Sequence, residues 1–321
     1  MKWMKRTAAL GAAALLTLSL AACSSGNADG TVAAALEKAK SATSVDAVLE
    51  MTAEYTTEEQ NLSVINRMTL TTFQDPLKIK AEVALDMASG EDTFNQTITM
   101  YAQKEGEDLV QYATDGSYWA KQTTTQDVLD TYNVGDTLSA YVSAASGFRK
   151  NGTETVNGAD AEKYTGSITG KPLVEILETN GYLESISSMS EDQQEKIKAN
   201  LESLPAAEVA VWVDQEGYLV QMEMDMMKVV SNMEANIDET LGHPTTTDEE
   251  TTNELVASSV RLTCSNFNAA TDFELPAEAL EAEDLTAAAG QSTDGSQSAD
   301  GAQSTDAAGQ SAAEGSQADG E

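Results

Sequence analysis

The sequence predicts an α+β fold: a strongly bent antiparallel sheet with helices covering one of its faces. Three observations carry this. Apolar and polar residues alternate with period two along many segments. The elements come in segregated runs, strands first, then helices, a strand pair, more helices and strands again. Glycine-bearing turns separate neighbouring strands. One-faced strands belong to antiparallel sheets with a solvated side, because the strands of a parallel sheet are buried on both faces and read as unbroken apolar runs.

A short helix opens the domain, with Val32, Ala35, Leu36 and Ala39 at helical spacing and Ser41-Ala42-Thr43-Ser44 ending it. The first strand runs from Val45 to Tyr55, its odd positions apolar and its even positions mostly polar. Leu62 to Phe73 is rich in Thr, Val and Ile, though its two faces differ less. Leu77, Ile79, Ala81, Val83, Leu85 and Met87 alternate with Lys78, Lys80, Glu82 and Asp86, and Phe94, Ile98 and Met100 share a face opposite Thr97 and Thr99. Asp115-Gly116 reads as a hairpin turn before Ser117-Tyr118-Trp119-Ala120.

The middle of the chain is helical. Gln126 to Ala145 carries Val128, Leu129, Tyr132, Leu138, Tyr141 and Val142, and reads as helix. A second helix starts after Lys171-Pro172 with Leu173, Ile176 and Leu177. A third opens on Ser190-Glu191-Asp192-Gln193, a capping box, and ends before Pro205. Strands return with Val209, Val211 and Val213, a turn at Gln215-Glu216-Gly217, then Tyr218, Val220, Met222, Met224 and Met226. Val256, Val260, Leu262 and Cys264 share a face in the last one.

Composition removes several function classes. The 321 residues hold 53 Asp+Glu against 18 Lys+Arg, a formal net charge of −35. No basic surface is left to neutralise phosphates, so nucleic-acid binding is excluded. Two cysteines and one histidine cannot build a Cys/His zinc site, and any triad would depend on His243 alone. His243-Pro244 stands in the polar stretch 240–252, which reads as an exposed loop. The acids Asp248-Glu249-Glu250 lack the glycine-turned spacing of a calcium loop. No nucleophile–base pair can be named, so the chain is not expected to be an enzyme, and no cofactor or metal is expected.

The N-terminus is the most specific signal. Lys2, Lys5 and Arg6 precede an apolar stretch from Ala8 to Leu20, which is short for a permanent membrane span. It ends in Leu20-Ala21-Ala22-Cys23, small residues before a cysteine, as in a bacterial lipobox. Residues 1–22 then form a lipoprotein signal peptide and 23–30 a lipidated linker, with Cys23 the lipid anchor through a diacylglycerol thioether. An ordinary secretory signal followed by a cysteine is the alternative. Several acyl chains on one residue hold a protein stably on a membrane where one chain does not. With Cys23 lipidated, Cys264 has no partner and reads as a small buried hydrophobe.

The folded unit spans residues 31–280. From 281 to 321 the chain turns to Gly, Ser, Ala, Gln, Asp and Glu, with no large apolar residue after Leu285. Such a segment cannot offset its ordering entropy and reads as a disordered acidic tail.

A lipobox, an opening helix, a long one-faced meander and interrupting helices together resemble the lipoprotein-carrier superfamily of LolA-like and LppX–LprG-like proteins, over roughly residues 31–275. Val156-Asn157-Gly158-Ala159-Asp160-Ala161-Glu162-Lys163-Tyr164 is similar to a V-x-G-x-x-A-x-x-Y strand turn of that group. Val211-Trp212-Val213-Asp214-Gln215-Glu216-Gly217-Tyr218-Leu219 is similar to its strand-Asp-x-x-Gly-strand hairpin. The resemblance points to the Gram-positive lipoproteins of the group.

The resemblance implies an open half-barrel whose concave apolar face meets the helices, with a cavity for acyl chains in some members. Here that face would include Leu49, Met51, Leu77, Ile79, Val83, Met100, Met222, Met224 and Met226, the candidate ligand-binding residues. Methionine adapts to irregular shapes, which suits such a lining. The expected function is a lipid-anchored, extracytoplasmic binding protein for a lipid or other apolar ligand held between sheet and helices. The alternative is an envelope interaction or structural lipoprotein with a filled core and no small-molecule ligand.

Overall fold

The computed structural model describes residues 27–57, 60–179, 182–183, 186–241 and 254–285. The signal segment, Cys23, His243, Asp248–Glu250 and the chain from 286 onward lie outside these residues. Helix α1 (Ala28–Lys40) leads into strands β1 (Ser44–Thr56), β2 (Asn61–Gln74), β3 (Leu77–Ser89), β4 (Asp92–Glu105), β5 (Asp108–Thr114) and β6 (Trp119–Thr124). Helices α2 (Gln126–Asp130) and α3 (Val134–Val142) follow, then β7 (Ser146–Val156), β8 (Ala159–Ile168), α4 (Lys171–Thr179), α5 (Glu191–Leu201), β9 (Ala207–Asp214), β10 (Leu219–Asp225), α6 (Met227–Leu241) and β11 (Glu254–Ser265). Helix α7 (Ala277–Leu280) and the short strand β12 (Glu283–Asp284) complete the described chain.

All the strands form one sheet in the order β12-β6-β5-β4-β3-β2-β1-β11-β10-β9-β8-β7. It is an open α+β sheet, antiparallel throughout except where β12 pairs parallel with β6. Two meanders, β1–β6 and β7–β11, join where β11 pairs with β1, Ala47 opposite Cys264 and Leu49 opposite Leu262.

This order forces the sheet to bend. The chain leaves β6 near one edge and returns at β7 on the other, ten strand spacings away, about 48 Å across a flat sheet. The connection has only the 5 residues of α2, the 9 of α3 and seven others. Fully stretched these reach about 45 Å, before any clearance over the sheet. Only a curved sheet brings its two edges within that reach, and α1 and α3 pack together across it.

The helical stretch expected from Gln126 to Ala145 is two helices. The Asn133 side chain accepts from the N–H groups of Gly135 (2.9 Å) and Asp136 (3.3 Å) and caps α3, so the helix restarts there. The Ser190 box is present, with Gln193 Oε1 accepting the Ser190 N–H at 3.3 Å. Helix α1 is capped by Asn27, has Asp29 in its first turn and Lys38 and Lys40 in its last, and buries Val32, Ala35, Leu36 and Ala39.

The two sheet edges are blunted differently. β7 carries register shifts between Ser146 and Arg149 and between Lys150 and Thr153, with Gly147 and Gly152 at positive φ, so it is a bulged, twisted edge. At the other edge the C-terminal segment straps the outer face. Lys78 pairs with Asp272 and donates to the Phe273 carbonyl at 2.7 Å, and the Phe273 ring meets Phe73 and Tyr101 edge-on. Residues 281–285 share the tail's composition, yet Glu283 and Asp284 pair with Ala120 and Lys121, and the Leu285 N–H donates to the Lys121 carbonyl at 2.9 Å.

Candidate functional site

Strand register places the sequence-nominated residues of the strands on one face, with Met226 following the end of β10. One cross-strand row runs Ile98 (β4), Val83 (β3), Met68 (β2), Leu49 (β1), Leu262 (β11), Met222 (β10), Val211 (β9) and Tyr164 (β8). The next runs Gln96, Leu85, Asn66, Met51, Val260, Met224, Val209 and Gly166 by the same pairings. Toward the far ends of the long hairpins lie two shorter rows: Phe94, Met87, Val64 and Ala53, then Leu62 and Tyr55.

The two halves of these rows have different surroundings. In β9–β11 they form the core with α4, α5 and α6: Met222, Met224 and Met226 are 0% exposed. In β1–β4 the same rows emerge into solvent, and Met87 is 37%, Ile98 41% and Phe94 53% exposed. Leu49, Met51, Tyr55, Leu62, Val64, Met68, Val83 and Leu85 are half-buried between these limits. The result is an open apolar trough on the inner face, four strands or about 14 Å wide and three row steps or about 20 Å long.

Strand length explains it. β1 to β4 have 13 or 14 residues each, about 45 Å of strand, whereas α1 has 13 residues and spans about 20 Å. Helices α1, α2 and α3 cover the start of β1 and β3 and the end of β2. Tyr182, which follows α4, sits near Ser258 of β11 and Tyr55, and burial raises its phenol above the ordinary range. Past that contact the hairpins outrun the helical layer.

The nine nominated residues therefore divide. Leu49, Met51 and Val83 belong to the trough. Met100, Met222, Met224 and Met226 are core. Leu77 and Ile79 line a partly open cleft of about 60 Å³, walled also by Leu129, Leu138 and Phe267. That volume holds a few waters and is far below the several hundred Å³ of a small-molecule pocket. Sequence reasoning placed Phe94, Ile98, Leu85 and Met87 on shared faces without nominating them. The available signal was the length of their alternation, too long for the helices to cover.

The trough's outer side and rim are acidic. Arg67 holds Glu50 across β1–β2 at 2.5 Å, and that hydrogen bond and charge raise the guanidinium pKa further. Glu54, Asp86, Glu91 and Asp92 stand exposed around the hairpin ends. Asn66, between Met51 and Leu85, and Gln96, beyond Leu85, are polar breaks in the apolar floor. Cys264 is fully buried opposite Ala47, and burial pushes its thiol up to about 12, leaving it inert. Among the described residues no cluster of three or more His, Cys, Asp or Glu could hold a metal ion, and no helix is long and apolar enough to cross a membrane.

No protein-family model and no curated protein matches the chain. The chain is similar in outline to solved lipoprotein structures. Lipoprotein LppX of Mycobacterium tuberculosis aligns at 17% identity over 78% of this chain and 100% of its own, with a TM-score of 0.38. LprF of Mycobacterium bovis aligns at 12% identity over 78% of this chain and 97% of its own, with a TM-score of 0.40. A putative outer membrane lipoprotein-sorting protein domain of Vibrio parahaemolyticus aligns at 11% identity over 78% and 95%, with a TM-score of 0.24.

Proposed function

We propose that this chain is an extracytoplasmic lipoprotein, held on the cell membrane of a Gram-positive bacterium by acyl chains on Cys23, that binds a lipid or another apolar ligand in the trough. It acts as a binding protein rather than an enzyme. The anchor reading is supported by Leu20-Ala21-Ala22-Cys23 behind a positively charged start and an apolar stretch. One observation carries the binding reading: a single apolar row is sealed under helices at Met222 and open to water at Ile98. A contiguous apolar face left in water is a recognised mark of an interaction site.

The trough's length of about 20 Å compares with the roughly 15 Å hydrocarbon depth of one membrane leaflet, so it suits a single extended acyl chain. Its acidic rim disfavours strongly anionic headgroups and favours neutral or cationic ones. A second reading draws on the filled half of the molecule. With the methionines fully packed and the cleft beside Leu77 and Ile79 only about 60 Å³, the same open face could serve a protein partner instead.

Native mass spectrometry of residues 24–321, after incubation with envelope lipid extract, separates the two. Lipid bound at defined stoichiometry, and lost in a folded Ile98→Asp or Phe94→Asp variant, supports lipid binding. A clean unliganded mass supports the protein partner.

A further inference from the structure

We propose that the β7 side of the sheet is the surface that meets the chain's own bilayer, so that the trough opens away from that membrane. This rests on the acyl-anchor reading of Cys23. The start of the fold is pinned to β7, because the Asp29 carboxylate at the head of α1 accepts the Phe148 N–H at 2.8 Å. Cys23 precedes Ala28 by five residues. Whatever path those residues take, the anchor lies within about 18 Å of the helix start. The exposed side of the trough, on β4, is eight strand spacings from β7 along the bent sheet.

Charge points the same way. The β7–β8 hairpin balances Arg149, Lys150 and Lys163 against Glu154, Asp160 and Glu162, two of these bases being paired with Glu162 and Glu154. The trough end sets Glu50, Glu54, Glu82, Asp86, Glu91 and Asp92 against Arg67 alone. A bilayer rich in anionic lipid repels the second surface and tolerates the first, and this field acts only within about 8 Å at physiological salt. The tether holds β7, rather than the hairpin ends, on the side where this field acts. β7 exposes Arg149, Lys150, Asn151, Gly152 and Thr153, a polar surface that fits phospholipid headgroups without insertion.

The test uses the full acylated chain on vesicles of phosphatidylcholine with about a quarter phosphatidylglycerol. A fluorophore is attached at Asn151→Cys or Glu91→Cys, Cys264 being buried from the reagent, and lipids carrying a nitroxide quencher report proximity. Thr153→Cys and Asp92→Cys repeat the comparison in case a label perturbs its site. Quenching at the β7 positions should exceed that at the hairpin end by about threefold, and the ratio should shrink in about 0.5 M salt. Equal quenching, or stronger quenching at the hairpin end, overturns the orientation. A folded chain that fails to float with vesicles overturns the anchor itself, and the orientation with it; the two failures show in separate measurements.

Discussion

Ile98 of β4 and Tyr164 of β8 stand at opposite ends of one cross-strand row, with a side chain from each of six strands between them. Ile98 is 41% exposed and Tyr164 5%. The same face of the same sheet is thus a packed core at one end and a wetted surface at the other. The helices decide which, because register and side-chain polarity hardly change along the row.

Stability should follow that division. Met222→Ala or Met224→Ala leaves a cavity among α6, β9 and β11 and should cost about 2–5 kcal/mol. Ile98→Ala or Phe94→Ala removes side chains about half in water and should change stability by no more than about 1 kcal/mol. Urea melts of the four variants check this; equal losses at both ends would mean that the trough is covered in solution.

Asn66 interrupts the trough floor between Met51 and Leu85. Asn66→Leu should join Met51 to Leu85 in an unbroken apolar run and tighten binding of an uncharged hydrocarbon probe by about fivefold, the effect of roughly 1 kcal/mol. A fluorescence titration reads it. No change would place the ligand off the β2 strand.

Gly166 is the floor under the Phe148 ring. A Cβ there would lie 2.8 Å from two ring carbons, so the edge strand β7 would have to shift. Gly166→Ala should cost about 1–3 kcal/mol, and Phe148→Leu should recover part of that loss. Thermal melts of the single and double variants give the coupling.

The pH profile has two limbs. Tyr112 and Tyr164 are pushed up to about 12, first by burial and then by hydrogen bonds to Glu105 and Glu162. The fold holds the neutral phenols, so their contribution is complete below pH 10 and is lost as pH rises through about 12. Glu154 and Glu162 are held below the ordinary 4.5, chiefly by the hydrogen bonds from Lys163 and Lys150, with Trp212 and Tyr164 adding to them. Their contribution is present above 4.5 and is lost as pH falls below it. Denaturant midpoints across pH should therefore fall on both sides. Tyr164→Phe should flatten the alkaline limb, and Glu162→Gln the acid limb.

Most of the sheet was legible because burial on one side writes itself as alternation. Val209, Val211 and Val213 and the run from Leu77 to Met87 could be read without neighbours. β7 could not: its Arg149-Lys150-Asn151-Gly152-Thr153 run faces solvent on a bulged edge, where no packing selects a pattern. The break at Asn133 was hidden because the apolar spacing continues through it, while the cap depends on a side chain reaching back to Gly135 and Asp136. The strap from Asp272 to Leu285 was hidden because its anchors, Lys78 and Tyr101, are remote in sequence. For the site, alternation identified the inner face but not its covering. Met224 and Val83 look alike in sequence, and only the length of the hairpins relative to the helices separates a core residue from a trough residue.

The trough as the ligand's seat is tested most directly by a photoreactive long-chain fatty acyl probe, bound to the folded chain, irradiated and mapped by peptide mass spectrometry. Adducts are expected on β2–β4 at Val64, Leu85, Met87, Phe94 and Ile98, suppressed by Ile98→Asp. Adducts confined to the outer face around Trp119, or to the helices around Met233, would mean that the ligand sits elsewhere.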